Sequence, residues 1–162
     1  SPLTANIPEN NNSRNVIVKI SCEDSTLWNL FLPTKVRIMI PVAVTSAAIS
    51  KHTKLDNSNI KLVFKDRQRV HGEVLNNLEA LVGTKAKRNL SAEARITKRN
   101  VCFVCKGDDV TIIAKSNDFM IKTAGVALRD GAIGDKVSVK NKHSNRTVTA
   151  KVKAINKVVI NL

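Results

Sequence analysis

The sequence predicts a mainly β chain built from two packed modules, and three observations lead there. First, residues 42–60 (VAVTSAAISKHTKLDNSNI) align without gaps on residues 83–101 (GTKAKRNLSAEARITKRNV). Ile49 matches Leu90, Leu55 matches Ile96, Asn59 matches Asn100 and Ile60 matches Val101, while His52 and Glu93 take equivalent turn positions. A short β-unit that cannot bury its own apolar face is completed by a second copy, so the repeat predicts one body closed by pseudo-twofold pairing. Second, apolar residues alternate with polar ones over most of the remaining chain, which is the period of a half-buried strand. Third, a single stretch carries a helical stripe.

Taken in order, residues 1–15 hold Pro2, Pro8 and a run from Asn10 to Asn12, and read as an extended, poorly ordered lead. Val16, Val18 and Ile20 alternate as a strand, and Glu23 to Thr26 is the turn after it. A long alternation follows on Trp28, Leu30, Leu32, Val36, Ile38 and Ile40. Pro33 makes this an edge or bent strand, because proline has no amide hydrogen for a ladder. Trp28 shares a face with five aliphatic residues and is expected to be a buried anchor. Between the repeat copies, Val74, Leu75, Leu78 and Leu81 predict a helix over Glu73 to Val82, with Gly83 as its stop.

Beyond Val101 the chain returns to strands: Val110, Ile112 and Ala114, then Phe119 and Ile121, with turns at Ser116 to Asp118, Asp130-Gly131 and Gly134-Asp135. The last hairpin can be drawn in register. With Lys142 to Asn145 as the loop, Val139 faces Val148, Val137 faces Ala150 and Lys136 faces Lys151. A one-residue slip would turn the apolar side chains outward, which fixes this pairing. The opposite face then carries Lys136, Ser138, Lys140, Thr147, Thr149, Lys151 and Lys153, and no acidic residue follows Asp135. Lysines directly opposed across a ladder destabilise it, so this face reads either as a partner surface or as a solvated guard against edge aggregation.

Length and composition bound the function. The 162 residues hold one domain or two small ones, and 43% hydrophobic content is globular. No apolar run approaches the ~20 residues of a membrane helix. The chain begins at Ser1 without an initiating Met or a signal peptide, as a processed or trimmed product would. A net charge of +14 invites a nucleic-acid reading. Two features oppose it: one Trp, four Phe and no Tyr leave few stacking platforms, and no basic recognition helix is present. An acidic protein partner is the competing reading.

The chemistry-bearing residues are sparse. Cys102-Phe103-Val104-Cys105 has redox or metal spacing, but a zinc site lacks two further ligands. The motif runs into turn residues rather than a helix, and residues three apart on a flat strand face opposite ways, which opposes a direct bridge. The cysteines therefore read as structural or incidental. His52 and Glu93 could meet across the pseudo-twofold, with a surface pair as the simpler outcome. No nucleotide, zinc-protease or nucleophile motif occurs, so no catalytic, cofactor-binding or metal residue is assigned and no enzyme is expected.

These pieces in order resemble the FlgA family, periplasmic chaperones of the flagellar P-ring. The resemblance rests on Trp28 to Ile38, Pro41 to Val44, Ile49 to Leu55, Leu81 to Gly83, Asn89 to Ala92, Gly125 to Ala127, Gly131, Gly134 to Asn141, Ser144 and the terminal Val-rich strand. It covers roughly residues 16–162. It implies a SAF, or β-clip, domain over 40–100, a C-terminal β-barrel over 101–162, and an N-terminal lead and hairpin over 1–39 offered to that barrel as a packing partner. It implies a periplasmic chaperone whose partners are P-ring subunits, with no cofactor, no nucleic acid and no stable membrane insertion, acting as a monomer or with weak self-association. The partner-binding candidates are Lys136, Lys140, Arg146, Lys151 and Lys153. The family often has a cysteine at the place of Cys22, paired with one further upstream, so Cys22 is left unpaired here. It also often has Gly where His52 and Glu93 stand, which predicts turns built differently. SAF modules occur as well in pilus-assembly proteins and sugar-acid enzymes. A pilus-assembly protein and a basic nucleic-acid-binding β module remain the alternatives.

Overall fold

A computed structural model describes residues 2–8, 14–23 and 25–162, and the chain is mostly β. It divides into two compact units, one of Ser1–Ile40 with Lys65–His71 and one of Pro41–Phe64 with Gly72–Leu162.

The first unit is an antiparallel sheet in the order β1 (Leu3–Asn6), β2 (Asn15–Glu23), β3 (Leu27–Lys35). Part of the expected N-terminal lead is thus a strand, because Leu3 to Asn6 finds a ladder partner in Lys19 to Cys22. The asparagine run and Asp24 of the following turn lie outside the described residues. Pairing sets Val18 opposite Leu32, Ile20 opposite Leu30 and Cys22 opposite Trp28, so these side chains share one face. Only Val16 and Cys22 of the sheet are buried, and every residue of β3 is exposed. Trp28, expected as a buried anchor, is 44% exposed. Alternation correctly groups it with the aliphatic residues, but on that face burial reaches only Val16 and Cys22 and leaves Trp28, Leu30 and Leu32 exposed.

In the second unit, the doubled segment is doubled in its hydrogen bonds as well. Strands β4 (Met39–Thr45) and β5 (Ile60–Asp66), which belong to this unit over residues 41–45 and 60–64, pair with each other, and β6 (Lys85–Ala86) pairs with β7 (Val101–Cys102). The copies then exchange backbone bonds reciprocally. Ile49 and Leu90 each donate to the other's carbonyl at 2.8 Å. Leu55 N donates to Thr84 O at 2.8 Å, and its counterpart Ile96 N donates to Ala43 O at 2.9 Å. His52 N reaches Ala86 O at 2.7 Å, and Glu93 N reaches Thr45 O at 3.0 Å. The corner asparagines repeat too: Asn59 Nδ2 donates to Lys54 O at 3.0 Å and Asn100 Nδ2 to Arg95 O at 2.9 Å. This reciprocity satisfies short segments that could not form ladders of their own.

His52 and Glu93 adopt φ of 70° and 59°. The turns are therefore built in the left-handed conformation that glycine would take, against the expectation of a different construction, and two non-glycine residues bear its steric cost. Their side chains form no pair; Glu93 bonds Lys61 instead.

The helix is short. Only Leu78–Leu81 is helical (α1), with Asn77 Oδ1 accepting from Ala80 N at 3.2 Å as the cap. The residues before it stay irregular, and the Leu75 carbonyl there accepts Ala43 N at 2.9 Å. Asparagine favours such a cap over a helix interior, and a stripe this brief cannot nucleate upstream of it. Gly83 has φ 95° just past the end.

The remaining strands are β8 (Asp109–Lys115), β9 (Met120–Ala127), β10 (Lys136–Asn141), β11 (Thr147–Ala154) and β12 (Lys157–Asn161). They close a barrel in the order β10-β11-β12-β8-β9. The β12–β8 contact is parallel and completes the ring, which leaves these strands no open edge. One apolar core joins barrel and doubled segment, from Leu55, Ile60 and Ile96 through Val104 to Val137, Val139 and Val158. The buried polar side chains are satisfied. Thr45 Oγ1 donates to Ser91 O at 2.7 Å and accepts from Ala94 N at 3.0 Å.

Candidate functional site

The β10–β11 hairpin has the register read from its apolar face: Val139 opposite Val148, Val137 opposite Ala150 and Lys136 opposite Lys151. Val137, Val139, Ala150 and Val152 are buried in the barrel. The strand period therefore sends Lys136, Lys140, Lys151 and Lys153 outward, and all four are exposed. Lys140 lies opposite Thr147, at the end of the ladder where Asn141 N donates to Arg146 O at 2.8 Å. Lys136, Lys151 and Lys153 thus cluster at one end of the hairpin and Lys140 with Arg146 at the other. None of these five cations has an ion-pair partner among the described residues. Lys142 differs, because Asp109 on β8 neutralises it at 2.7 Å. An opposed, exposed lysine pair costs a few tenths to about 1 kcal/mol in the free protein.

Cys102 and Cys105 are bridged, with 5.4 Å between their Cα atoms, contrary to the flat-strand expectation. The reason is local. Strand β7 stops at Cys102, Phe103 N and Val104 N both turn to the Gly131 carbonyl, and Gly107 at φ 90° completes the reversal. Both sulfurs are buried, so the bridge is a staple inside the core. Cys22 is free and buried.

Asp56 carries a displaced titration. The hydroxyl and then the amide of Ser58 hydrogen-bond its carboxylate and hold its pKa below the ordinary aspartate value. This fixes the polar corner of the first repeat copy; Thr97 stands at the equivalent place in the second. Among the described residues no group of three or more His, Cys, Asp or Glu gathers into a metal site. No described helix is long and apolar enough to cross a membrane.

Two features escaped sequence reasoning. One is the exposed apolar face of the β1–β3 sheet. The other is a cleft in the first unit lined by Arg14, Lys35, Arg37 and Arg69. Its residues come from three separate stretches of chain, so no sequence window shows them together.

A closed five-stranded barrel and a symmetric pair of interlocked β-units define a mainly β protein. The chain belongs to the family described as "Chaperone for flagella basal body P-ring formation", whose model matches residues 40–160. Among solved structures, Salmonella FlgA in its open form is similar, at 18% identity and a TM-score of 0.51 over 99% of this chain and 84% of that one. The closed form of Salmonella FlgA gives 16% identity and a TM-score of 0.44, covering 100% of this chain and 90% of that one. Flagellar protein FlgA from Thermotoga maritima gives 19% identity and a TM-score of 0.46, covering 97% of this chain and 57% of that one. The likeness to the open form concerns fold. No protein of curated function matches the sequence.

Proposed function

We propose that this chain is a periplasmic chaperone that binds P-ring subunits and presents them for assembly, with Lys136, Lys140, Arg146, Lys151 and Lys153 as part of the binding surface. The family match over 40–160 is the observation that carries the reading. The uncompensated cations on β10–β11 support it physically. Their mutual repulsion is relieved when carboxylates of a partner approach, and such charges chiefly raise the encounter rate and select the partner. The role is binding rather than catalysis. Holding a subunit through a charged surface suits a helper that must later give way to the subunit's own neighbour, because exposed charge pairs bind weakly and exchange readily.

The test is the affinity of the chain for unassembled P-ring subunits before and after Lys136, Lys140, Lys151 and Lys153 are changed together to Glu. A loss of at least tenfold is expected. Unchanged affinity would remove this surface from the mechanism. Steeply salt-dependent binding to duplex or single-stranded nucleic acid, without subunit binding, would replace the reading altogether.

A further inference from the structure

The cleft in the first unit measures about 280 Å³ and sets Arg14, Lys35, Arg37 and Arg69 against one carboxylate, Asp66. Backbone pairing builds it. Asn15 faces Lys35 at the end of the β2–β3 ladder, and Val36 N donates to Arg14 O at 2.8 Å just beyond. Arg67 N donates to Ile38 O at 2.8 Å and draws the Arg67–Arg69 turn alongside. Asp66 is already engaged as the cap of that turn, accepting from Gln68 N at 3.0 Å. The four cations have no ion-pair partner among the described residues. Like charges gathered in one concavity repel, and a cleft wall concentrates their field. Three of the four are guanidinium groups, whose planar forks bind oxyanions in paired hydrogen bonds.

The surroundings indicate what kind of oxyanion. Strand β3 ends the sheet order, so its outer edge has no ladder partner among the described residues. All nine of its residues are exposed, and it runs out at Lys35, a residue of the cleft wall. The apolar residues beside that edge include Leu30 and Leu32, at 46% and 41% exposure. A free phosphate would use the cleft alone. An extended polypeptide would use the edge, the apolar face and the cleft together, by adding a strand to β3.

We propose that the cleft is a docking site for the side-chain carboxylates of an extended segment of a partner protein, which lies along β3 with alternating apolar residues and places an acidic end among Arg14, Arg37 and Arg69. That the partner is a P-ring subunit rests on the function proposed above; the cleft's ligand chemistry does not.

The experiment uses the full chain and a fluorescein-labelled peptide of alternating Thr and Val carrying three Glu at one end, prepared with the acidic end first and last. Fluorescence anisotropy at low salt reads its affinity. One or other orientation is expected to bind saturably. Changing the three Glu to Gln, or making the Arg14→Gln, Arg37→Gln, Arg69→Gln variant, should weaken binding at least tenfold. The Lys115→Gln, Lys122→Gln, Lys157→Gln variant removes the same charge from the barrel and should leave affinity within twofold. Should the arginine variant fail to fold, Lys35→Gln is the second probe, with a loss of at least threefold expected. The proposal is overturned if neither peptide binds, if the arginine variant binds equally well, or if the lysine control weakens binding as much. It is also overturned if inorganic phosphate or phosphatidylglycerol vesicles bind through these arginines while the peptides do not. Peptide binding without any binding of P-ring subunits would leave the cleft standing and refute the functional reading.

Discussion

Strand β3 and the β10–β11 hairpin follow the same alternation and meet opposite fates. In the hairpin the apolar set, Val137, Val139, Ala150 and Val152, lies inside a closed barrel. In β3 the apolar set, Trp28, Leu30 and Leu32, stays in solvent. Periodicity decides which side chains share a face. It does not decide whether anything covers that face. Closure does, because a barrel folds its sheet onto itself whereas a three-stranded sheet needs a second layer. An apolar face left uncovered in a folded chain is a place for a partner.

Core truncation is the strongest way to break this contrast. Leu55 and Ile96 are both fully buried at equivalent places in the repeat. Leu55→Ala and Ile96→Ala should each cost about 2–5 kcal/mol by denaturant unfolding, through lost burial and a residual cavity. Leu30→Ala on the sheet should change stability by about 0.5 kcal/mol or less. Equal costs would mean that the sheet is covered in solution.

Adding a methyl group sharpens the same point at smaller scale. A Cβ on Gly131 would collide with Val137 Cγ1 and lie 3.0 Å from Val152 Cγ2. Both neighbours are stiff at χ1 and buried, so Gly131→Ala should cost about 1–3 kcal/mol. Ala5→Val in the exposed β1 should stay within about 0.5 kcal/mol, because the new methyls meet no packed layer. Denaturant midpoints of the two variants give the comparison.

Much of this fold is legible in the sequence. The hairpin register followed from Val137, Val139, Val148 and Ala150, because a slip would expose them all. The repeat was readable because its anchors at Ile49, Leu55, Leu90 and Ile96 recur at a fixed offset. What failed depended on tertiary context. The Cys102–Cys105 bridge needed the strand to stop, which the Gly131 carbonyl brings about from far along the chain. The helix over 73–82 had the right stripe and lost its first half to the hydrogen bond between Leu75 and Ala43. The exposed lysines were legible as a face. The arginine cleft was not, since it joins Arg14, Lys35, Arg37 and Arg69 only after folding.

The two repeat copies allow a finer comparison. Since His52 and Glu93 both hold positive φ, His52→Gly and Glu93→Gly should raise stability by similar amounts, up to about 1 kcal/mol each. A gain at one turn and a clear loss at the other would show that the pseudo-twofold is not energetic. The smallest expected effect concerns Asp56. Its pKa is depressed in the folded chain, so its contribution is present above the ordinary aspartate range and is lost as pH falls through the lowered value. Melting temperatures of wild type and Asp56→Asn should therefore differ at pH 7 and converge toward pH 3. The second copy, with Thr97 in that place, offers no such carboxylate.

Hydrogen exchange on the chain, alone and saturated with unassembled P-ring subunit, tests the binding account most directly. The account predicts slowed exchange at β3 and at the β10–β11 hairpin, with the amides that join the two repeat copies equally protected in both states. Saturation that leaves β3 and the hairpin unchanged, or that alters the Ile49 and Leu90 amides instead, would contradict it.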